Sequence, residues 1–237
     1  MSAEIDEQEQ LSGDAADEDA PRRGTFPGGV RAGRVGVGQL EHCLAGGGVA
    51  VLPTDTVYGI CCDPDSEPAA RRLYALKGRP AARPAAVMFF ALEPALEMLG
   101  ELHHDERAAL QALLPGPVTL LLANPAMRFA PACRTDPGTL GLRVPSLPEH
   151  LTALGSLTRP IMQTSANMSG GADARTLAEV PESMREGADL VLDGGELPGR
   201  PSTVIDLRDY AEHRRWHVLR EGALPRAAVR ELLTSLD

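Results

Sequence analysis

The chain has 237 residues, 43% of them hydrophobic but only 3% aromatic, so it is long enough to bury a core, and that core must be mostly aliphatic. Its net charge of −10 is concentrated at the front: residues 1–20 carry eight acids and no base, and the remainder carries 25 acids against 23 bases. Any basic patch is therefore local, and the acidic total does not argue against a nucleotide ligand. The first 20 residues lack the apolar and basic segments of a signal peptide, and no run approaches the roughly 18 apolar residues of a membrane helix, so a soluble, cytoplasmic chain without membrane contact is expected.

Residues 1–33 read as a disordered acidic tail and linker, with the folded domain over 34–237. A helix is expected from Val37 to Ala45, ended by Gly46, Gly47 and Gly48. Val49 to Leu52 reads as a buried strand stopped by Pro53. Thr54, Asp55, Thr56 and Tyr58 then crowd onto the strand end, where α/β sheets bind ligands. A helical pattern follows, with Ala69, Leu73 and Leu76 on one face, Asp65 or Ser66 as cap and Gly78 as stop. Its last turn brings up Lys77, Arg79 and Arg83, a cationic set suited to phosphate or carboxylate.

Ala85 to Phe90 reads as a second buried strand, followed by helices over Glu93–Leu99 and His104–Leu114. After the Pro115-Gly116-Pro117 turn come a strand over Val118–Ala123 and a proline-containing loop to Gly138. Thr139 to Val144 alternates as a strand with Arg143 near its end. Leu147–Leu157 reads as a helix, Ile161–Gln163 as a strand running into the polar segment 164–170, and Thr176–Glu186 as a helix. Short strands at Leu190–Leu192, Ser202–Leu207 and Trp216–Leu219 precede a closing helix over Arg226–Leu236. The fold class is α/β, an open twisted sheet with helices on its faces, partly antiparallel because some connections are too short to hold a helix.

Single motifs say little. A Ser-Ala-Asn turn is more often a helix cap than a ligand grip, and a KGR tripeptide usually complements a helix dipole in solvent. No phosphate-binding GxxxxGK[ST] loop is present, His213 and His217 lack the intervening glutamate of a zinc protease, and the DPDSEP run from Asp63 resembles a helix-start turn more than a calcium loop. Cys43, Cys61, Cys62 and Cys133 lack metal-ligand spacing and read as buried thiols. No protein-held metal site is expected.

In order, the blocks PTDTVYG, KGRP, PGPVTLLL, LGLRVPSLP, TSANMSG, PSTVIDL and VLREGAL resemble the YrdC/TsaC family of L-threonylcarbamoyladenylate synthases over about residues 35–225. The resemblance implies a twisted mixed sheet with a large concave cleft. It implies synthesis of threonylcarbamoyl-AMP and pyrophosphate from L-threonine, bicarbonate (or carbon dioxide) and ATP with Mg2+, for tRNA modification by a downstream threonylcarbamoyl transferase. Contact with tRNA or double-stranded RNA is a further implied partnership. By the same resemblance, Thr56, Arg143 and Ser202 hold threonine, with the backbone at Gln163 helping. Lys77, Arg79, Arg83, Thr139, Ser165, Asn167 and Arg220 line the nucleotide side, with Lys77 and Arg79 catalytic. Met88 stands at the threonine pocket where several members carry histidine. Lys77 and Arg79 are expected to be partly exposed in the cleft. The runner-up is a diverged RNA- or nucleotide-binding module without synthase activity. A third reading, the carbamoyltransferase domain of hydrogenase maturation proteins, lacks its cysteine pairs here.

Overall fold

The computed structural model describes residues 30, 31, 34–78, 80, 83–100 and 102–236. Helices α1 (Arg34–Ala45), α2 (Glu67–Lys77), α3 (Leu92–Leu99), α4 (His104–Leu113), α5 (Ala130–Cys133), α6 (Glu182–Gly187), α7 (Tyr210–His213) and α8 (Arg226–Thr234) alternate with ten strands among the described residues. The strands are β1 (Val30–Arg31), β2 (Ala50–Leu52), β3 (Gly59–Cys62), β4 (Ala86–Met88), β5 (Val118–Ala123), β6 (Thr139–Arg143), β7 (Ile161–Ser165), β8 (Leu190–Asp193), β9 (Thr203–Asp206) and β10 (His217–Arg220). They form one sheet in the order β1-β8-β2-β3-β7-β4-β6-β5-β9-β10. The pairs β1/β8, β2/β8, β4/β6 and β5/β9 are parallel, and the others are antiparallel. The expected mixed sheet is thus observed.

Local chemistry sets the element ends that matter for the site. Gly47 takes φ 74, a left-handed geometry that closes α1 and turns the chain into β2. Ser66 caps α2 by accepting from the Ala69 N–H at 3.4 Å, Pro68 occupies its first turn, and Gly78 ends it at φ 55. One side of α2 is buried through Ala69, Ala70, Leu73 and Tyr74. The core is aliphatic, with Leu40, Leu44, Ile60, Leu110, Leu120, Leu140 and Leu142 among its fully buried members.

Several boundaries differ from the sequence expectation. β3 was not foreseen, because Gly-Ile-Cys-Cys is buried at every position and shows no alternation. β1 pairs Val30 with Leu192 and Arg31 with Asp193, so the sheet reaches into the segment expected to be linker; residues 1–29 lie outside the described residues. The helix expected over Thr176–Glu186 is interrupted by Pro181, giving a 3-10 turn at Leu177–Glu179 and then α6. Glu149–Ser156 is 3-10 rather than α-helical. Helix α5 lies in the expected loop, and α7 in a stretch given no element.

Candidate active site

Strand alternation decides which side chains can meet. In register, Met88 lies beside Arg143, Ala86 beside Gly141 and Gln163, and Ser165 beside Gly59. Farther along the sheet, Thr119 pairs with Val204, and Val204 with Arg220. Side chains two residues apart share a face. One face therefore carries Ser165, Gln163, Met88, Arg143, Thr139, Thr119 and Arg220, and the alternate residues Ile60, Val87, Leu120, Leu142 and Ile205 are fully buried on the other.

Arg143 ends β6 and is only 4% exposed. Its Nη2 donates to Asp55 Oδ1 at 2.8 Å and to Thr56 Oγ1 at 3.2 Å, and its Nη1 donates to Gln163 Oε1 at 3.2 Å. Its buried Nε–H finds no acceptor among the described residues. Asp55 is fixed from the other side by the Ser146 N–H, which donates to Oδ2 at 3.1 Å. Burial raises the Asp55 carboxyl, and Arg143 and the Ser146 N–H pull it back; burial likewise lowers Arg143, while Asp55 supports its charge and Arg220 opposes it. Asp55 and Thr56 sit in the 53–58 turn, which Thr54 closes by donating to the Val57 carbonyl at 2.7 Å and lying 3.1 Å from Thr56 Oγ1. Gly59 leaves room for Gln163: a Cβ there would stand 2.5 Å from Gln163 Nε2.

A second group gathers beside β9. Ser202 Oγ lies 2.8 Å from Thr119 Oγ1, and Arg220 Nη2 donates to the Ser202 carbonyl at 2.8 Å and to its hydroxyl at 3.3 Å. Gly222 permits this approach, since a Cβ there would lie 2.1 Å from the Pro201 carbonyl oxygen.

The third group joins the end of α2 to the end of β7. Lys77 Nζ donates to the Ser165 carbonyl at 2.5 Å, the Asn167 carbonyl at 2.9 Å and Asn167 Oδ1 at 2.6 Å. Ser165 Oγ donates to Asn167 Oδ1 at 2.7 Å, and Asn167 Nδ2 donates to the Gly171 carbonyl at 2.6 Å. Lys77 is 2% exposed, which corrects the expectation of a partly exposed cleft lysine: its four-carbon stem runs inside and its ammonium is matched by the turn.

The other expected site residues are placed as follows. Met88 is fully buried at the end of β4. Arg83 is exposed, and its carbonyl accepts from the Tyr74 hydroxyl at 2.6 Å. Thr139 shares the site face but starts β6, about 13 Å of strand away from Arg143. It accepts from Arg208 Nη1 at 3.2 Å, and Arg208 also lines a cavity of about 260 Å³ with Asp206, Asp209, Arg215 and His217. Thr139 is thus not brought to the Arg143 group. Arg79 lies outside the described residues.

Sequence reading missed three positions. Asp55 was noted only as one polar residue in a turn, yet it is the counter-ion of Arg143. Thr119 supports Ser202 from within an apolar strand. Tyr58 is buried below the turn; its hydroxyl donates to the Gly195 carbonyl at 2.9 Å and lies 3.1 Å from Asp193 Oδ1, and it accepts from the Gly194 N–H at 3.0 Å. It thereby anchors one end of the loop 194–201, whose other end is held by the Gly199 N–H donating to the Thr56 carbonyl at 2.9 Å. No local spacing signals any of these three contacts, all of which join segments far apart in sequence.

The family model Sua5/YciO/YrdC, described as telomere recombination, matches residues 42–222. The chain belongs to this family. Among relatives, the threonylcarbamoyl-AMP synthase of Hahella chejuensis is 32% identical over 165 residues, covering 69% of this chain and 89% of that protein. The structure of Pyrococcus abyssi Sua5 complexed with L-threonine superposes with a TM-score of 0.69 at 29% identity, over 84% of this chain and 56% of that one. The chain thus matches a little over half of the Pyrococcus protein. Escherichia coli YciO superposes with a TM-score of 0.69 at 26% identity, over 80% of this chain and 90% of that one. The Sua5/YciO/YrdC match spans all three polar groups, from the 53–58 turn to Arg220. Among the described residues, no helix is long and apolar enough to cross a membrane.

Proposed function

We propose that this family member makes threonylcarbamoyl-AMP and pyrophosphate from L-threonine, bicarbonate and ATP. The observation that carries the reading is Arg143: a buried arginine whose Nε–H finds no acceptor among the described residues, held by Asp55, Thr56 and Gln163, with Arg220 near enough to oppose its charge. Such a group suits a small carboxylate flanked by hydroxyl and amine functions. The naming of the relatives as synthases and the threonine complex of Pyrococcus abyssi Sua5 support the same substrate.

In this reading Arg143 holds the threonine carboxylate, and Thr56, Ser202 and Gln163 orient the rest of the amino acid, with Met88 forming an apolar wall. The bound ammonium releases its proton to solvent, the neutral amine attacks bicarbonate, water leaves, and the resulting carbamate attacks the α-phosphorus as pyrophosphate departs. Both partners in that second step are anions. Lys77 and Arg79 would offset their repulsion, with Arg83, Ser165, Asn167 and Arg220 along the nucleotide; one preorganised donor of this kind typically contributes about 3 kcal/mol. Lys77 would exchange its acceptors at Ser165 and Asn167 for phosphate oxygens. Thr139, at the far end of β6, would meet only a part of the nucleotide remote from the α-phosphorus. Magnesium would arrive on the triphosphate as part of that substrate. Among the described residues, no three His, Cys, Asp or Glu side chains converge to hold a metal. The product would pass to a transferase acting on tRNA in the cytoplasm.

Pyrophosphate release tests this, with ATP, magnesium and bicarbonate, with and without L-threonine, and with L-serine as control. Threonine-dependent release that is lost in Lys77→Ala is expected. Nucleotide binding without release would leave a binding module instead.

A further inference from the structure

We propose that Asp55 sets the ligand class of the Arg143 pocket: by neutralising the guanidinium, it makes the pocket select an amino-acid zwitterion over a plain carboxylate. The inference rests on the placement of threonine at Arg143 in the proposed function and deepens it.

Arg143 and Asp55 form a buried ion pair at 2.8 Å, with side chains 5% and 3% exposed. Asp55 cannot swing away cheaply, because its second oxygen is tied to the Ser146 N–H. Among the described residues, two guanidinium hydrogens, that on Nε and the second on Nη1, meet no acceptor and are left for a ligand. A carboxylate bound there gains the cation but also meets the nearby Asp55 charge, and little water screens either. A ligand with only a carboxylate therefore faces a pair of net charge zero. A zwitterion adds an ammonium that Asp55 attracts, so both ends of the ligand are compensated. A lone buried arginine would instead take any small carboxylate. Thr56 and Gln163 contribute no charge to this balance, and Arg220, which disfavours the Arg143 cation, adds a positive charge on the Ser202 side that the carboxylate of either ligand meets equally.

Calorimetric titration with L-threonine and with (R)-3-hydroxybutyrate, the same molecule without its amine, tests the inference. The native chain should bind threonine at least tenfold more tightly. Asp55→Asn keeps the shape of the side chain and removes its charge, at the cost of one of its two acceptors, and it should reduce that ratio at least tenfold, mainly through tighter hydroxybutyrate binding. An unchanged ratio, or a parallel loss for both ligands, would overturn the inference and leave Asp55 a structural group. If Asp55→Asn does not fold, the native chain still decides, because equal binding of the two ligands overturns it. Arg143→Met separates the underlying reading: threonine binding that survives this change removes threonine from Arg143 altogether, whatever Asp55 does.

Discussion

Lys77 Nζ lies 2.6 Å from Asn167 Oδ1 and 2.9 Å from the Asn167 carbonyl, so the last residue of α2 and the turn after β7 share one buried ammonium. Lys77→Ala would remove the ammonium those acceptors meet and open space beneath Gly78. Leaving a buried acceptor unmatched costs about 1–3 kcal/mol. The variant should therefore melt several degrees lower and make no adenylate. Thermal denaturation run beside the pyrophosphate assay separates the effects: Lys77→Met, which fills the space, should recover part of the melting temperature and none of the turnover.

Gly59→Ala should weaken threonine binding while the chain stays folded. The added Cβ would meet Gln163 Nε2 at 2.5 Å, and the far end of that glutamine can move. Moving it breaks the 3.2 Å contact from Arg143 Nη1. A stability loss of about 1 kcal/mol, at the low end for overpacking, together with a severalfold rise in the threonine dissociation constant is the expected pair of results. An unchanged dissociation constant would show that Gln163 does not orient the arginine.

Tyr58 offers a pH signature. Its phenol is pushed up to about 12, chiefly by burial and then, against the Gly194 N–H, by Asp193. An unfolded tyrosine ionises near 10. The unfolded chain thus releases its proton first as pH rises. The stabilisation is complete below about 10 and is lost as pH climbs through the folded value. Ultraviolet titration of the native chain against Tyr58→Phe should isolate the Tyr58 ionisation as a late step. Tyr58→Phe should abolish the late step and cost about 1–2 kcal/mol, because the Gly194 and Gly195 backbone groups lose their partner.

The thiols should be inert in the folded chain. Burial pushes Cys43 up to about 11 and Cys62 to about 12, and raises Cys61 well above the ordinary thiol value. At pH 8 a thiol at about 11 carries roughly a hundredfold less thiolate than one near 9. Labelling with an alkylating reagent at pH 8 should be slow for the native chain and rapid for all four cysteines in denaturant.

Most elements could be read locally. The Ser66 cap, the Gly78 stop and the strand ended by Pro53 each have a residue-level cause, and each lies where it was expected. β3 was hidden because burial on both faces removes alternation, and the Thr176–Glu186 helix was drawn too long across Pro181. The Lys77 and Arg143 groups could be named from the ordered blocks, but their contacts could not. Asp55 and Arg143 stand 88 positions apart, and only the sheet order brings them together. Lys77 was expected to be partly exposed in a cleft; the turn over 165–167 buries it instead by supplying enough acceptors to replace water.

The order of strands in the sheet also governs when the pocket can exist during synthesis. The turn holding Asp55 and Thr56 leaves the ribosome early, while Arg143, Gln163, Ser202 and Arg220 follow much later, and β9 must pair in parallel with β5 before Ser202 reaches Thr119. A nascent chain halted before β10 would present an acid without its arginine's full surroundings and a serine without Arg220. The Ser202–Arg220 side of the proposed pocket thus forms only after translation has delivered this edge strand, whereas the Arg143 and Lys77 groups draw on residues made earlier.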